Sequence, residues 1–133
     1  MRDVQVAYLD TSSLAKLVRT EPETAGLKSL LRNYPRVVSS AIAHTELLRS
    51  AHRLGAGHVA TAEEIFDTLS IVPVSVSSLD RAGRLVPGWA LHYLDAIHLA
   101  SALVLPTLDT FVTYDVRQAE VAATLGLPVA APA

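Results

Sequence analysis

The segment VQVAYLDTSSLAKLV, residues 4–18, changes its pattern at Asp10. Residues 4–9 are mostly apolar and alternate weakly, which predicts a β-strand. Beyond Asp10, apolar residues recur at helical spacing up to residue 18, and Ser12 is placed to cap that helix. The segment therefore predicts a strand that leads directly into a helix, with a carboxylate at the junction.

The same alternation of strand and helix continues along the chain. Short apolar runs predict further strands at residues 36–39, 71–76, 110–114 and 128–130. Helical spacing predicts further helices over residues 25–31, 41–54, 57–69, 78–86, 89–105 and 116–125. This order predicts a three-layer α/β fold, in which helices flank a central, mainly parallel sheet of four or five strands. We expect residues 1–133 to form a single domain, since the length suits one core.

Composition narrows the class of protein. Half of the residues are hydrophobic and 18% are charged, which argues against disorder and favours a surface partly covered by a partner. The absence of cysteine excludes disulfides, thiolate catalysis and cysteine-based zinc sites. Because residues 1–10 do not resemble a signal peptide and no run of eighteen apolar residues occurs, we expect a soluble, cytoplasmic protein.

Four carboxylates stand alone among apolar and small residues: Asp10, Glu46, Asp95 and Asp115. None has a basic neighbour in sequence, and burying an ionised carboxylate costs several kcal/mol unless it is paired or binds a cation. Asp10 and Asp115 follow predicted strands, and sites form at the carboxyl ends of parallel strands. A shared divalent cation would stabilise all four, and oxygen ligands favour Mg²⁺ or Mn²⁺ over zinc.

Two of the four acids also have an ordinary explanation at a chain turn. Asp115, with Gln118 three residues later, is a good helix cap in its own right. Asp10 could be a turn residue that precedes Ser12. These alternatives stay open at the level of single residues.

The two helical acids differ in how easily they are explained. Glu46 could form an ordinary ion pair with Arg49, one turn later on the same predicted helix. Asp95 has no such explanation, because its predicted helix contains no lysine or arginine. Taken together, the four acids favour a metal site over four separate structural roles.

The net charge of −2 is a poor match for binding a nucleic acid by bulk electrostatics. Without the four isolated carboxylates, however, nine of the thirteen acids remain against eleven lysines and arginines. A cation-neutralised acidic centre within a mildly basic surface would therefore tolerate a polyanion.

Four segments carry a resemblance to a known family. They are YLDTSSLAKL (8–17), SSAIAHTELLRS (39–50), LDAIHLASAL (94–103) and FVTYDVRQAEVAATLGLPV (111–129). In order and spacing they resemble the four acidic motifs of PIN-domain ribonucleases, and specifically the VapC toxins of bacterial toxin–antitoxin modules. The resemblance spans nearly the whole chain, and none of the four acids is replaced.

The resemblance implies a metal-dependent endoribonuclease that hydrolyses RNA phosphodiester bonds with one or two Mg²⁺ or Mn²⁺ ions. It implies that the catalytic, metal-binding acids are Asp10, Glu46, Asp95 and Asp115, with Glu46 acting either as a ligand or as a base through water. Small polar residues, Thr11, Ser12 and Thr113, match positions that support such a site, although helix capping and strand propensity explain them equally well. Arg49 could orient Glu46 or contact a substrate phosphate.

His98 lies three residues after Asp95, and we expect it to be a polar packing residue because hard cations prefer oxygen ligands. Contacts to the RNA backbone are expected from scattered basic residues: Lys16, Arg19, Arg49, Arg53 and Arg117.

The implied partners are an RNA substrate, a second copy of the chain in a homodimer, and a cognate VapB-type antitoxin whose C-terminal segment crosses the acidic groove. DNA would be contacted only through the antitoxin, and no membrane is involved. A catalytically inactive PIN-like binding module is the alternative. Enzymes that transfer phosphate to aspartate are disfavoured, because no second aspartate stands two residues after Asp10 and no lysine follows Lys28.

Overall fold

The computed structural model describes residues 5–85 and 91–133. The strands are β1 (Val6–Leu9), β2 (Arg36–Ser40), β3 (Ser70–Val72), β4 (Thr110–Val112) and β5 (Val129–Ala130). The helices are α1 (Thr11–Val18), α2 (Thr24–Leu31), α3 (Ile42–Leu54), α4 (Ala56–Thr68), α5 (Val76–Gly83), α6 (Tyr93–Leu103) and α7 (Val116–Thr124).

The five strands form one sheet in the order β3-β2-β1-β4-β5, and every pair is parallel. The strand β1 is central and buried along its whole length. Within the register, Leu9 of β1 lies beside Val112 of β4. The residues that follow these two strands are therefore brought to the same edge of the sheet, as parallel pairing requires.

The sheet separates two apolar cores. Ala7 and Leu9 face a core formed with α1, α2, α3 and α4, whereas Val6 and Tyr8 face a core that includes side chains of α6 and α7. This division follows from the alternation of side chains along a strand. The structure confirms the expected three-layer α/β fold with a parallel sheet, and the number of strands is five.

Several element boundaries differ from the sequence predictions, most of all at β3, α5 and α6. The strand expected at residues 71–76 ends at Val72, because Ser75 begins α5 by accepting a hydrogen bond from the backbone N–H of Ser78 (3.0 Å). The helix expected at 78–86 is therefore shifted toward the N-terminus and ends at Gly83, and residue 86 lies outside the described residues.

The helix α6 is shorter than the expected span of residues 89–105. It begins at Tyr93, after His92 as the N-cap, and residues 89 and 90 lie outside the described part of the chain. Its expected burial is confirmed, since every residue from 96 to 102 is buried. Across residues 5–85 and 91–133, no helix has the length and apolar character needed to cross a membrane.

Candidate active site

The Asp10 side chain is held at the junction of β1 and α1. It is 2% exposed, and its Oδ1 accepts hydrogen bonds from the Ser13 backbone N–H (2.9 Å) and from the hydroxyls of Ser12 (2.7 Å) and Ser13 (2.9 Å). The hydroxyl of Thr113 donates to Oδ2 (2.6 Å). These donors are neutral, so they fix the orientation of the carboxylate without neutralising its charge.

The N-cap of α1 is Asp10, and the prediction that Ser12 caps this helix is wrong. Asp10 has the extended backbone of a cap residue (φ −79°, ψ 178°) and bonds the N–H three residues later. Ser12 lies in the first turn, where its hydroxyl donates to Asp10 and accepts a hydrogen bond from the backbone N–H of Tyr114 (3.0 Å). Ser12 thereby connects α1 to the chain that leaves β4.

The chain after β4 is connected to the same carboxylate. Thr113 is buried, donates to Asp10 and accepts a hydrogen bond from the backbone N–H of Asp115 (3.1 Å). Asp115 in turn accepts a hydrogen bond at Oδ1 from the backbone N–H of Gln118 (2.9 Å), which confirms its predicted role as the cap of α7. Among the described residues, none hydrogen-bonds the second oxygen of Asp115.

The third aspartate, Asp95, lies in the first turn of α6. Burial raises its pKa, and the negative charges of Asp115 and Asp10 raise it further, against a smaller opposing effect of His98 and His92. Asp115 and Asp10 therefore lie near enough to repel the Asp95 carboxylate. The side-chain amide of Gln118 donates to the backbone oxygen of Asp95 (3.2 Å), which connects α7 to α6.

Glu46 on α3 has a different environment. Its Oε1 accepts a hydrogen bond from the hydroxyl of Thr11 (2.8 Å) and lies 2.9 Å from Nε2 of His98. Burial alone would raise the pKa of Glu46, but the hydrogen bonds of His98 and Thr11 outweigh it and hold the pKa below its usual value. Arg49 is exposed and forms neither a hydrogen bond nor an ion pair with Glu46, so it does not orient this carboxylate.

The sequence analysis did not predict the contacts that four residues make in this site. Ser13 bonds Asp10, Gln118 joins two helices, and His98 and Tyr8 lie behind Glu46. The interpretation of His98 as a buried polar residue agrees with its 1% exposure, but its partner was not foreseen. A signal existed for Ser13, since the third residue after an N-cap lies within reach of the cap side chain.

The donor set of the site suits a hard divalent cation. No three acidic or histidine side chains within residues 5–85 and 91–133 are already arranged around a common point as metal ligands are. Asp115 and Asp10 nevertheless repel Asp95, and no lysine or arginine among the described residues forms an ion pair with the three aspartates. A cation held by Asp10, Asp95 and Asp115 would remove this repulsion, and oxygen ligands match Mg²⁺ or Mn²⁺.

The basic residues proposed to contact RNA fall into two groups. Lys16 pairs with Glu23 (3.1 Å) and Glu21 (3.6 Å), and its ammonium lies 5.1 Å from the centre of the Tyr114 ring. It is therefore a poor candidate for a phosphate contact. The remaining four are exposed: Arg19, Arg49, Arg53 and Arg117.

Removing the hydroxyl that bonds Oδ2 of Asp10 should destabilise the fold. We expect Thr113→Val to lower the free energy of unfolding by about 2 kcal/mol, because a hydrogen bond to a buried charged group is lost. Urea denaturation measures the change. Thr110→Val, on the buried strand β4 that precedes Thr113 and without a carboxylate partner among the described residues, is the control, and equal losses in the two variants would contradict the assignment.

Removing the charge of Asp95 should stabilise the protein in the absence of divalent cations. The folded-state pKa of Asp95 is raised, so its ionisation at pH 7 favours the unfolded chain, and Asp95→Asn removes that penalty. We expect a gain of about 1 kcal/mol, or an increase in Tm of about 4 °C.

This gain should shrink as the pH falls through the raised folded-state pKa of Asp95 and vanish below about 4, where the carboxyl is protonated in both states. Calorimetric melting across pH 3–7 in EDTA tests both statements. Asp67→Asn, at an exposed position of α4, is the matched control. A lower Tm for Asp95→Asn at pH 7 would show that the aspartates do not repel.

Comparison with known proteins supplies the family. The PIN domain family model matches residues 7–124. Ribonuclease VapC46 of Mycobacterium tuberculosis is 40% identical over 126 residues, covering 94% of this chain and 96% of that protein. Ribonuclease VapC47 of the same species is 35% identical over 131 residues, with the same two coverages.

Solved structures agree at the level of the fold. VapBC2 from Rickettsia felis, bound to a promoter DNA fragment, matches with a TM-score of 0.74 at 15% identity, over 97% of this chain and 100% of that chain. VapC20 of Mycobacterium tuberculosis, a toxin that cleaves the sarcin-ricin loop, gives 0.72 at 17% identity, with coverages of 91% and 95%. From its sequence match and its fold, this chain belongs to the PIN-domain ribonucleases of the VapC type.

Proposed function

We propose that this protein is the toxin of a type II toxin–antitoxin module, a Mg²⁺- or Mn²⁺-dependent endoribonuclease that hydrolyses RNA phosphodiester bonds. The observation that carries the proposal is the raised pKa of Asp95, which burial raises most and the negative charges of Asp115 and Asp10 raise further. The relatives support it, because proteins that match nearly the whole chain are ribonucleases by name.

The three aspartates would hold the cation, and they differ in hydrogen bonding and in electrostatic environment. Asp10 is fixed by its hydrogen bonds, whereas Asp115 uses one oxygen as a helix cap and keeps the other without a hydrogen bond to the described residues. Asp95 would be stabilised most, since a positive charge would offset the burial and the repulsion that together raise its pKa. The chemistry supplied by Mg²⁺ or Mn²⁺ at such a site would be polarisation of the scissile phosphate and a lower pKa of bound water.

Glu46 would complete the site as a further ligand or as a general base. Its low pKa keeps it ionised at neutral pH, and Oε1 already accepts hydrogen bonds. Among the described residues, none hydrogen-bonds Oε2. This oxygen is the atom at which Glu46 would accept a proton from water or approach the cation.

Substrate binding would use the exposed arginines, because Lys16 is engaged in ion pairs. Arg49 and Arg53 lie on α3, the helix of Glu46, and Arg117 lies two residues after Asp115. Contacts between these side chains and phosphates would make RNA binding weaken with salt.

Protein partners are a cognate VapB-type antitoxin, which would block the acidic groove, and a second copy of the chain. Support comes from solved relatives that are toxin–antitoxin complexes, including one from Klebsiella pneumoniae that is 25% identical with a TM-score of 0.66, over 82% of this chain and 86% of that chain. Large apolar side chains stand exposed on α5 and α6, among them Val76, Leu79 and Tyr93. Such surfaces favour burial by a partner.

With RNA and an antitoxin as its ligands, the protein would act in the cytoplasm.

The assay that tests the function is RNA cleavage by the purified protein. We expect cleavage with Mg²⁺ or Mn²⁺ and none in EDTA, and we expect Asp95→Asn to lose about 100-fold or more because changes beyond the first ligand shell alone cost 10- to 100-fold. Circular dichroism should show a retained fold. Asp67→Asn should cleave like the wild type.

Metal-independent cleavage, or full activity of Asp95→Asn, would contradict the enzymatic proposal. If the wild-type protein binds an antitoxin but cuts no RNA under any metal condition, the alternative of a catalytically inactive PIN-like binding module replaces it.

A further inference from the structure

A buried hydrogen-bonded chain connects the centre of the sheet to Glu46. The hydroxyl of Tyr8 lies 2.7 Å from Nδ1 of His98, and Nε2 of His98 lies 2.9 Å from Oε1 of Glu46 and 3.0 Å from the Thr11 hydroxyl. Tyr8 is fully buried and His98 is 1% exposed. The chain therefore runs from the interior to one oxygen of the carboxylate.

The partners of His98 determine which nitrogen carries the proton. An ionised carboxylate only accepts hydrogen bonds, so Nε2 must carry a hydrogen to bond Glu46. The Tyr8 hydroxyl can then donate to Nδ1, which gives each atom of the chain a partner. The arrangement therefore requires a hydrogen on Nε2 of His98, the nitrogen that faces Glu46.

Tyr8 is itself fixed by the packing of the sheet. Its ring stacks on Phe111 of the neighbouring strand, with centroids 5.2 Å apart and an interplanar angle of 3°. The His98 ring meets it edge-on, with centroids 5.9 Å apart and an angle of 78°. The direction of the His98 N–H bond is therefore set by the central strand β1.

We propose that His98 is a positioning residue that fixes Oε1 of Glu46 and leaves Oε2 directed at the reaction. This inference rests on the proposed nuclease function and deepens it. Glutamate has a long side chain whose rotamers must be restricted before it can act at a defined atom. Here Thr11 and His98 restrict it from two helices, whereas Arg49 on its own helix does not contact it.

Two substitutions of His98 distinguish its hydrogen bond to Glu46 from the space that its side chain fills. The amide nitrogen of glutamine reaches approximately where Nε2 stands, and that of asparagine approximately where Nδ1 stands. We therefore expect His98→Gln to retain most of the function of Glu46 and His98→Asn to lose it. His52→Gln, at an exposed position of α3, is the control.

The first readout is Mn²⁺ binding without RNA, measured by calorimetry, together with kcat and KM for RNA cleavage. We expect His98→Asn either to weaken Mn²⁺ binding about 10-fold, if Glu46 is a ligand, or to lower kcat about 10-fold or more at unchanged affinity, if Glu46 is a base. In the second case, KM for RNA should stay within about twofold, since His98 is buried away from substrate.

The second readout is the tautomer of His98 in the ¹⁵N NMR spectrum of the metal-free protein. We expect the Nε2–H form in the wild type. Tyr8→Phe retains the ring stacking but removes the donor to Nδ1, so it should shift the Nδ1 resonance and reduce the function of Glu46 less than His98→Asn does. This variant also serves if substitution of His98 prevents folding.

The inference is overturned if His98→Asn leaves both Mn²⁺ affinity and kcat unchanged, if His98→Asn and His98→Gln lose equally, or if His98 carries its proton on Nδ1. If the wild-type protein cuts no RNA, the proposed function fails. Mn²⁺ affinity and the NMR tautomer still support or overturn the role of His98 in that case.

Discussion

The hydrogen bonds around the buried carboxylate of Asp10 are the constraint on which the rest of the site depends. They come from the first turn of α1 and from Thr113 after β4, so a single side chain joins the ends of two neighbouring strands. Because the donors are neutral, they preserve the negative charge while they fix its position. The same contacts that hold β1, α1 and β4 together thus prepare a ligand for a cation.

The other acids depend on that arrangement to different degrees. Asp115 follows Thr113 by two residues and is oriented by its helix cap, whereas Asp95 is brought in by α6 and stays in an unfavourable electrostatic position. Glu46 is connected to the central strand β1 by hydrogen bonds that pass through His98 to Tyr8. The site therefore combines a fully hydrogen-bonded acid, an acid that caps a helix, a destabilised acid and an acid that is hydrogen-bonded to a buried histidine. Such a combination is typical of functional sites, which exchange stability for reactivity.

The sequence was informative where the physical cause is local. The alternation of strands and helices, the position of Asp10 and Asp115 after strands, and the cap formed by Asp115 follow from neighbouring residues. It was misleading for Glu46, where the nearby Arg49 suggested an ion pair that the structure lacks. His98, 52 residues away, is the actual partner. Contacts of this kind arise from the packing of α6 against α3 and β1, and spacing along one helix carries no information about them.

The two outer strands of the sheet have a consequence for the behaviour of the protein in solution. β3 has three residues and β5 has two, so neither edge offers a long row of free N–H and C=O groups. Long, apolar edge strands recruit further strands from other molecules and lead to aggregation. In a chain that is half hydrophobic, these short edges limit uncontrolled strand addition. Assembly is then left to side-chain surfaces, which can select a specific partner.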